Sequence, residues 1–228
     1  MERIELVIDA TQRFYNDLKD DPHARYRSWE HCYLSFYKAR KKQEVDEDYL
    51  SLQLSFYLAS WGMYRGSSFL LQKDYKIHIP VVKEILDSKY DSLSGITCCD
   101  LKKEYNQERL KELSAFIKDY YYKVRKSVKA QEIKNDISDT LITKILMGTL
   151  GCVPAYDRYF VNGIKNLKVA TGNYNVKSVL QLAAFYENHF EKFECIRESM
   201  KILDLPYPQM KILDMGFWQI GYDASEGK

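Results

Sequence analysis

The chain has 228 residues, 34 basic and 32 acidic side chains and a formal net charge of +2. That length can bury a sizeable core without a disulfide or metal staple. The near balance of charge means that nucleic-acid binding would need basic residues gathered on one face. The five cysteines, at 32, 98, 99, 152 and 195, show no Cys-x-x-Cys spacing, and only four histidines accompany them. No metal site and no cofactor are therefore expected, and the thiols read as reduced and mostly buried in a cytoplasmic protein. The N-terminus lacks the apolar core of a signal peptide. The longest apolar-leaning run, Ile145 to Val153, is too short to cross a bilayer, so no membrane contact is expected.

In chain order, Ile4, Val7, Ile8, Thr11, Phe14, Tyr15 and Leu18 recur at helical spacing over 2–19, and Asp20-Asp21-Pro22 ends that helix. A second helix is expected over about 24–42, with Tyr26, Trp29, Tyr33, Phe36 and Tyr37 on one side and a basic end at Lys38 to Lys42. Asp46-Glu47-Asp48 opens a third. From Tyr49 to Leu71 apolar residues occur nearly all round, which predicts one long, central, buried helix. Gly62 and Gly66 inside it would let a backbone or ligand come close. Pro80 starts a short helix over 80–89, after a loop that is the one place where an extended piece is expected. Residues 91–101 read as irregular, and a charged helix comes next over about 102–130. Ser138 caps a helix through Leu150, Gly151 stands just past its end, and Pro154 fits the first turn of the next. The segment 138–165 therefore reads as helix, tight turn, helix. A last long helix is predicted over 175–204, stopped by Pro206 and Pro208, with a short closing helix over 209–222 that reads as packing. The expected fold is an all-α, compact multi-helix domain spanning 1–228, either one body or two helical lobes flanking a cleft. The 19 tyrosines suit core margins and base-stacking surfaces equally.

Three constellations carry chemistry. The first is Lys144, an apolar helix, then Val153-Pro154-Ala155-Tyr156-Asp157-Arg158. A carboxylate at a helix start meets partial positive charge and free amides, so it can stabilise a sugar cation or activate water. A nearby lysine can serve as an amine nucleophile. A purely structural reading is also open: Asp157 as a charged helix start and Lys144 as a solvated side chain. The second is Trp61, Arg65 and Ser68 on the buried helix, where Trp61 and Arg65, four apart, would share a face. An arginine in apolar surroundings needs a partner, and Asp157 and Glu30 are the candidates. The alternative here is a structural salt bridge. The third is Arg25, Trp29, Glu30 and His31, in which His31 could act as a general base or sit as a partly buried partner of an acid.

The lysine, apolar helix and Val-Pro-x-x-Asp pattern over about 137–160 resembles the end of the helix-hairpin-helix DNA glycosylase signature. The resemblance implies a catalytic aspartate at Asp157 and, as in bifunctional members, a catalytic lysine at Lys144. The stretch Ile137 to Ile142, where the family carries a glycine-rich hairpin, has no glycine. On this reading the protein removes a modified base from DNA, with Trp61, Arg65, Ser68, Trp29, His31, Tyr156 and Arg158 on the substrate side. Arg25 and His31 are also similar to the Arg-x(4–6)-His motif of HEPN ribonucleases, which would make RNA the partner. A non-enzymatic helical binding module of a bacterial multi-gene system is the third possibility, for which Asp157, Arg65 and His31 would share no pocket.

Overall fold

The computed structural model describes residues 2–41, 45–128 and 137–227. The fold is all-α, built from α1 (Arg3–Asp20), α2 (Ser28–Ala39), α3 (Glu47–Ser60), α4 (Ile79–Ile85), α5 (Cys98–Leu101), α6 (Glu104–Ser127), α7 (Asp139–Thr149), α8 (Arg158–Asn166), α9 (Val176–Asn188), α10 (Phe190–Arg197) and α11 (Gln209–Glu226). A tiny antiparallel hairpin, Lys201–Ile202 with Leu205–Pro206, joins α10 to α11. Lys42 and residues 129–130, which the sequence placed at the ends of two helices, lie outside the described residues.

The buried side chains form one cluster running from α1 to α11. Its axis is α11, whose residues from Gln209 to Gln219 are all buried. The expectation of a short closing helix is thus overturned: α11 is 18 residues long and central. Two glycines explain how it sits there. A Cβ at Gly216 would meet Val7 and Thr11 of α1, and a Cβ at Gly221 would collide with the Tyr159 carbonyl of α8. Across the same seam a Cβ at Gly163 would collide with the Phe217 carbonyl. Small residues on opposite faces let α1 and α8 approach the α11 backbone closely.

Other boundaries also differ. The 49–71 helix stops at Ser60, because Gly62 adopts φ 77° and the amides of Gly62 and Met63 return to Ala59 and Leu58 (2.9 and 2.8 Å). That is a glycine C-cap, and the apolar residues beyond it pack as loop and 3₁₀ turns. The loop after Lys73 is a 3₁₀ turn over Tyr75–His78 rather than extended, and the only strands among the described residues are the hairpin at 201–206. The 91–101 stretch is partly ordered as α5. The 175–204 helix breaks at His189 into α9 and α10. No described helix is long and apolar enough to cross a membrane. Cys32, Cys98 and Cys152 are buried and Cys99 and Cys195 exposed, all as free thiols.

Candidate functional site

Helix α7 starts and ends as its sequence dictates. Ser138 accepts a hydrogen bond from the Leu141 amide (3.3 Å), and Gly151, at φ 64°, closes the C-terminus by donating to the Leu146 carbonyl (3.0 Å). The chain then runs without regular structure, bending at Val153, through Cys152 to Tyr156, all buried, rather than as a tight turn. Buried backbone polar groups need partners. Here the Ala155 amide donates to Asp214 Oδ1 (2.9 Å) and the Tyr156 amide to Thr143 Oγ1 (2.8 Å), while Thr140 Oγ1 donates to the Tyr156 carbonyl (2.9 Å). Pro154 lies in this connection and not in the first turn of α8. The N-cap is Asp157 itself, whose Oδ1 accepts the amides of Tyr159 and Phe160, each at 3.1 Å.

The other oxygen of that carboxylate, Oδ2, accepts from Lys144 Nζ at 3.0 Å. Lys144 is mid-helix in α7 and only 2% exposed, so the solvated reading is overturned. Its ammonium also lies 4.6 Å from the centre of the Trp61 ring, a cation–π contact. A second buried pair backs the first. Lys211 Nζ donates to Asp214 Oδ2 (2.8 Å) and lies 5.4 Å from the centre of the same Trp61 ring.

Lys144, Asp157 and Trp61 line a cavity of about 610 Å³, within the usual range of small-molecule sites. Trp61 and Arg65 reach it from the loop after α3, Arg25 and Tyr26 from the turn before α2, and Trp218 and Tyr222 from α11. Trp61 and Arg65 do not share a helical face as expected. The loop folds back instead, so that a Cβ on Gly62 would lie 2.9 Å from Arg65 Nε. Aromatic rings form the walls: Tyr26 packs on Trp61 at 4.7 Å, Tyr159 on Trp218 at 5.4 Å, and Trp218 stacks on Tyr222 at 5.1 Å. The buried indole N–H groups of Trp61 and Trp218 have no hydrogen-bond partner among the described residues. Four cationic side chains, Arg25, Arg65, Lys144 and Arg158, line the cavity, against one carboxylate, Asp157.

The cavity therefore gathers Asp157, Lys144, Trp61, Arg65 and Arg158, together with Arg25, and leaves out the other candidates. Ser68 caps a 3₁₀ turn through the Leu70 amide (3.3 Å). Trp29 is a core residue, donating to the Met147 carbonyl (3.0 Å) and stacked on Tyr33. Tyr156 is buried with its hydroxyl on Ser178 Oγ (2.8 Å). His31 is exposed and lines a separate groove with Leu34, Lys38, Tyr49 and Phe56, so Arg25 and His31 share no cavity. Glu30 pairs with Arg27 (2.9 Å) and Tyr207 (2.5 Å), not with Arg65, and Arg65 is exposed rather than buried.

Sequence reasoning missed Tyr26, Tyr159, Trp218 and Tyr222. Two signals pointed to them: the dipeptide Arg-Tyr recurs at 25–26 and 158–159, and Trp218 and Tyr222 are four apart on one helix. Among the described residues no cluster of His, Cys, Asp and Glu could hold a metal ion. No known protein family, curated protein or solved structure matches the chain.

Proposed function

We propose that the protein excises a base from DNA by cleaving the N-glycosidic bond, with Lys144 as nucleophile and Asp157 as the base that frees it. One observation carries this reading. Residues remote in sequence, Lys144, Asp157, Trp61 and Arg65, converge on one aromatic, cation-rimmed cavity, and its lysine and carboxylate are in hydrogen-bond contact at 3.0 Å. A flipped base needs ring faces to stack on and donors for its edge, and the cavity offers both.

Asp157 Oδ2 takes a proton from the Lys144 ammonium, and the free amine attacks the sugar C1′. The C1′–N bond breaks, its electron pair leaves with the base, and the proton held by Asp157 neutralises the base. The sugar ring then opens: the amine gives a proton to O4′ and becomes a Schiff base. Asp157 Oδ1 stays anchored on two backbone amides, so only Oδ2 moves the proton. Lys144 lies against the Trp61 ring, so the indole must shift for the sugar to reach the amine, and the left-handed Gly62 and Gly66 supply hinges for its loop.

The test is incubation with DNA carrying a panel of modified bases, with alkali to reveal abasic sites and borohydride to trap the Schiff base. Wild type yields nicks and a covalent protein–DNA adduct, and Lys144→Gln yields no adduct. Asp157→Asn, which keeps a capping side chain, lowers base release by about 10²-fold or more. Undiminished release by that variant, or no release from any base, removes this function.

A further inference from the structure

Arg13, Arg27, Arg40, Arg109 and Arg197 each hold a carboxylate. Arg25, Arg65 and Arg158 pair with none among the described residues, and all three are exposed at the mouth of the same cavity. Two of them are held in the same way. The Arg25 guanidinium lies 4.8 Å over the Tyr26 ring and donates to its hydroxyl (2.8 Å); that of Arg158 lies 4.6 Å over Tyr159 and donates to its hydroxyl (2.7 Å). Each tyrosine in turn packs on a cavity tryptophan, Tyr26 on Trp61 and Tyr159 on Trp218. Stacking orders a guanidinium and leaves its other N–H donors free. Unpaired, pre-ordered guanidiniums in front of an aromatic wall match an anion attached to a flat ring.

We infer that Arg25, Arg65 and Arg158 form a phosphate clamp, and that the cavity takes a nucleotide unit of single-stranded DNA with its base against the tryptophans and its backbone phosphates on the arginines. The clamp does the positioning that a glycine-rich hairpin would otherwise supply. α7 opens instead with Ser138-Asp139, whose carboxylate in the first turn repels phosphate. This inference deepens the proposed function and rests on it only in placing the base inside the cavity.

Tryptophan fluorescence reads the site directly, because Trp61 and Trp218 line the cavity and Trp29 is buried elsewhere. Titration with a short oligothymidylate quenches the emission. The uncharged methylphosphonate form of the same strand binds at least about tenfold more weakly. Arg25→Gln, Arg65→Gln and Arg158→Gln each weaken binding about tenfold. Each also reduces the slope of log affinity against log salt by about 0.7, the counterion share of one phosphate contact on a single strand. Equal binding of the charged and uncharged strands, or a salt slope unchanged in the triple variant, overturns the clamp. The two proposals fail separately. Charge-dependent binding without base release leaves the clamp standing and removes excision; base release undiminished in the triple variant at limiting DNA does the reverse.

Discussion

Lys144 is an ammonium carried into the protein interior with one carboxylate beside it. Such a pair contributes little net stability over a well-packed apolar pair, yet breaking it leaves a buried charge uncompensated. Asp157→Asn should therefore cost about 3–5 kcal/mol in denaturant unfolding, even though asparagine still caps α8. Lys144→Met combined with Asp157→Asn should recover most of that loss, since it removes both charges. A double variant no more stable than Asp157→Asn alone would mean that the pair does not carry the cost. At this scale the sequence was informative where chemistry is local. Asp157 sits at a helix start because its side chain reaches amides two and three residues ahead. The partners of the Trp29 indole and the Tyr156 hydroxyl, Met147 and Ser178, lie far along the chain, and no spacing rule reaches them.

Among elements, the same cap is legible in the sequence at Gly151 and masked at Gly62. The difference lies in the residues beyond each glycine. Three residues after Gly151 comes Pro154, whereas after Gly62 the apolar run continues and imitates a helix. The connection from α7 to α8 was expected to be tight, but its backbone is satisfied by Asp214, a residue 59 positions from Ala155. The α8–α11 seam then fixes Asp157 against Trp218 and Tyr222. Gly221→Ala forces a methyl group into the Tyr159 carbonyl, so the helices must part. It should destabilise the protein by about 1–3 kcal/mol or more, as overpacking does. It should also shift Trp218 emission, while an exposed control on the same helix, Ser225→Ala, should do neither. Unchanged melting in Gly221→Ala would contradict this packing.

Across the whole molecule, one buried residue ties the site loop to distant helices. His78 is fully buried; its Nε2 meets the Tyr64 hydroxyl (2.6 Å) and its Nδ1 the Tyr121 hydroxyl of α6 (2.5 Å). Tyr64 belongs to the loop that carries Trp61 and Arg65. Burial pushes the His78 imidazole down to about 3 from the usual 6.5. Between those pH values the unfolded chain binds a proton that the native protein excludes. Stability present above pH 6.5 is therefore lost as the pH falls toward 3, by about 1.4 kcal/mol per pH unit for this one group. Urea unfolding across that range should show the slope, and His78→Gln should flatten it; an equal slope in that variant would assign the acid sensitivity elsewhere.

What the sequence alone determined was the all-α class, the position of most helix starts, the cap at Gly151 and a lysine and aspartate close enough along the chain to meet. These features come from periodicity and capping, which act within a turn or two. The folded structure decided the rest. It made α11 the axis of the core, drew to one mouth three arginines that pair with no carboxylate among the described residues, and set the lysine–aspartate pair in a cavity walled by aromatic rings. The physical reason is that close helix packing through glycine, burial of charge and the meeting of distant side chains depend on which surfaces touch. A local pattern carries no record of that.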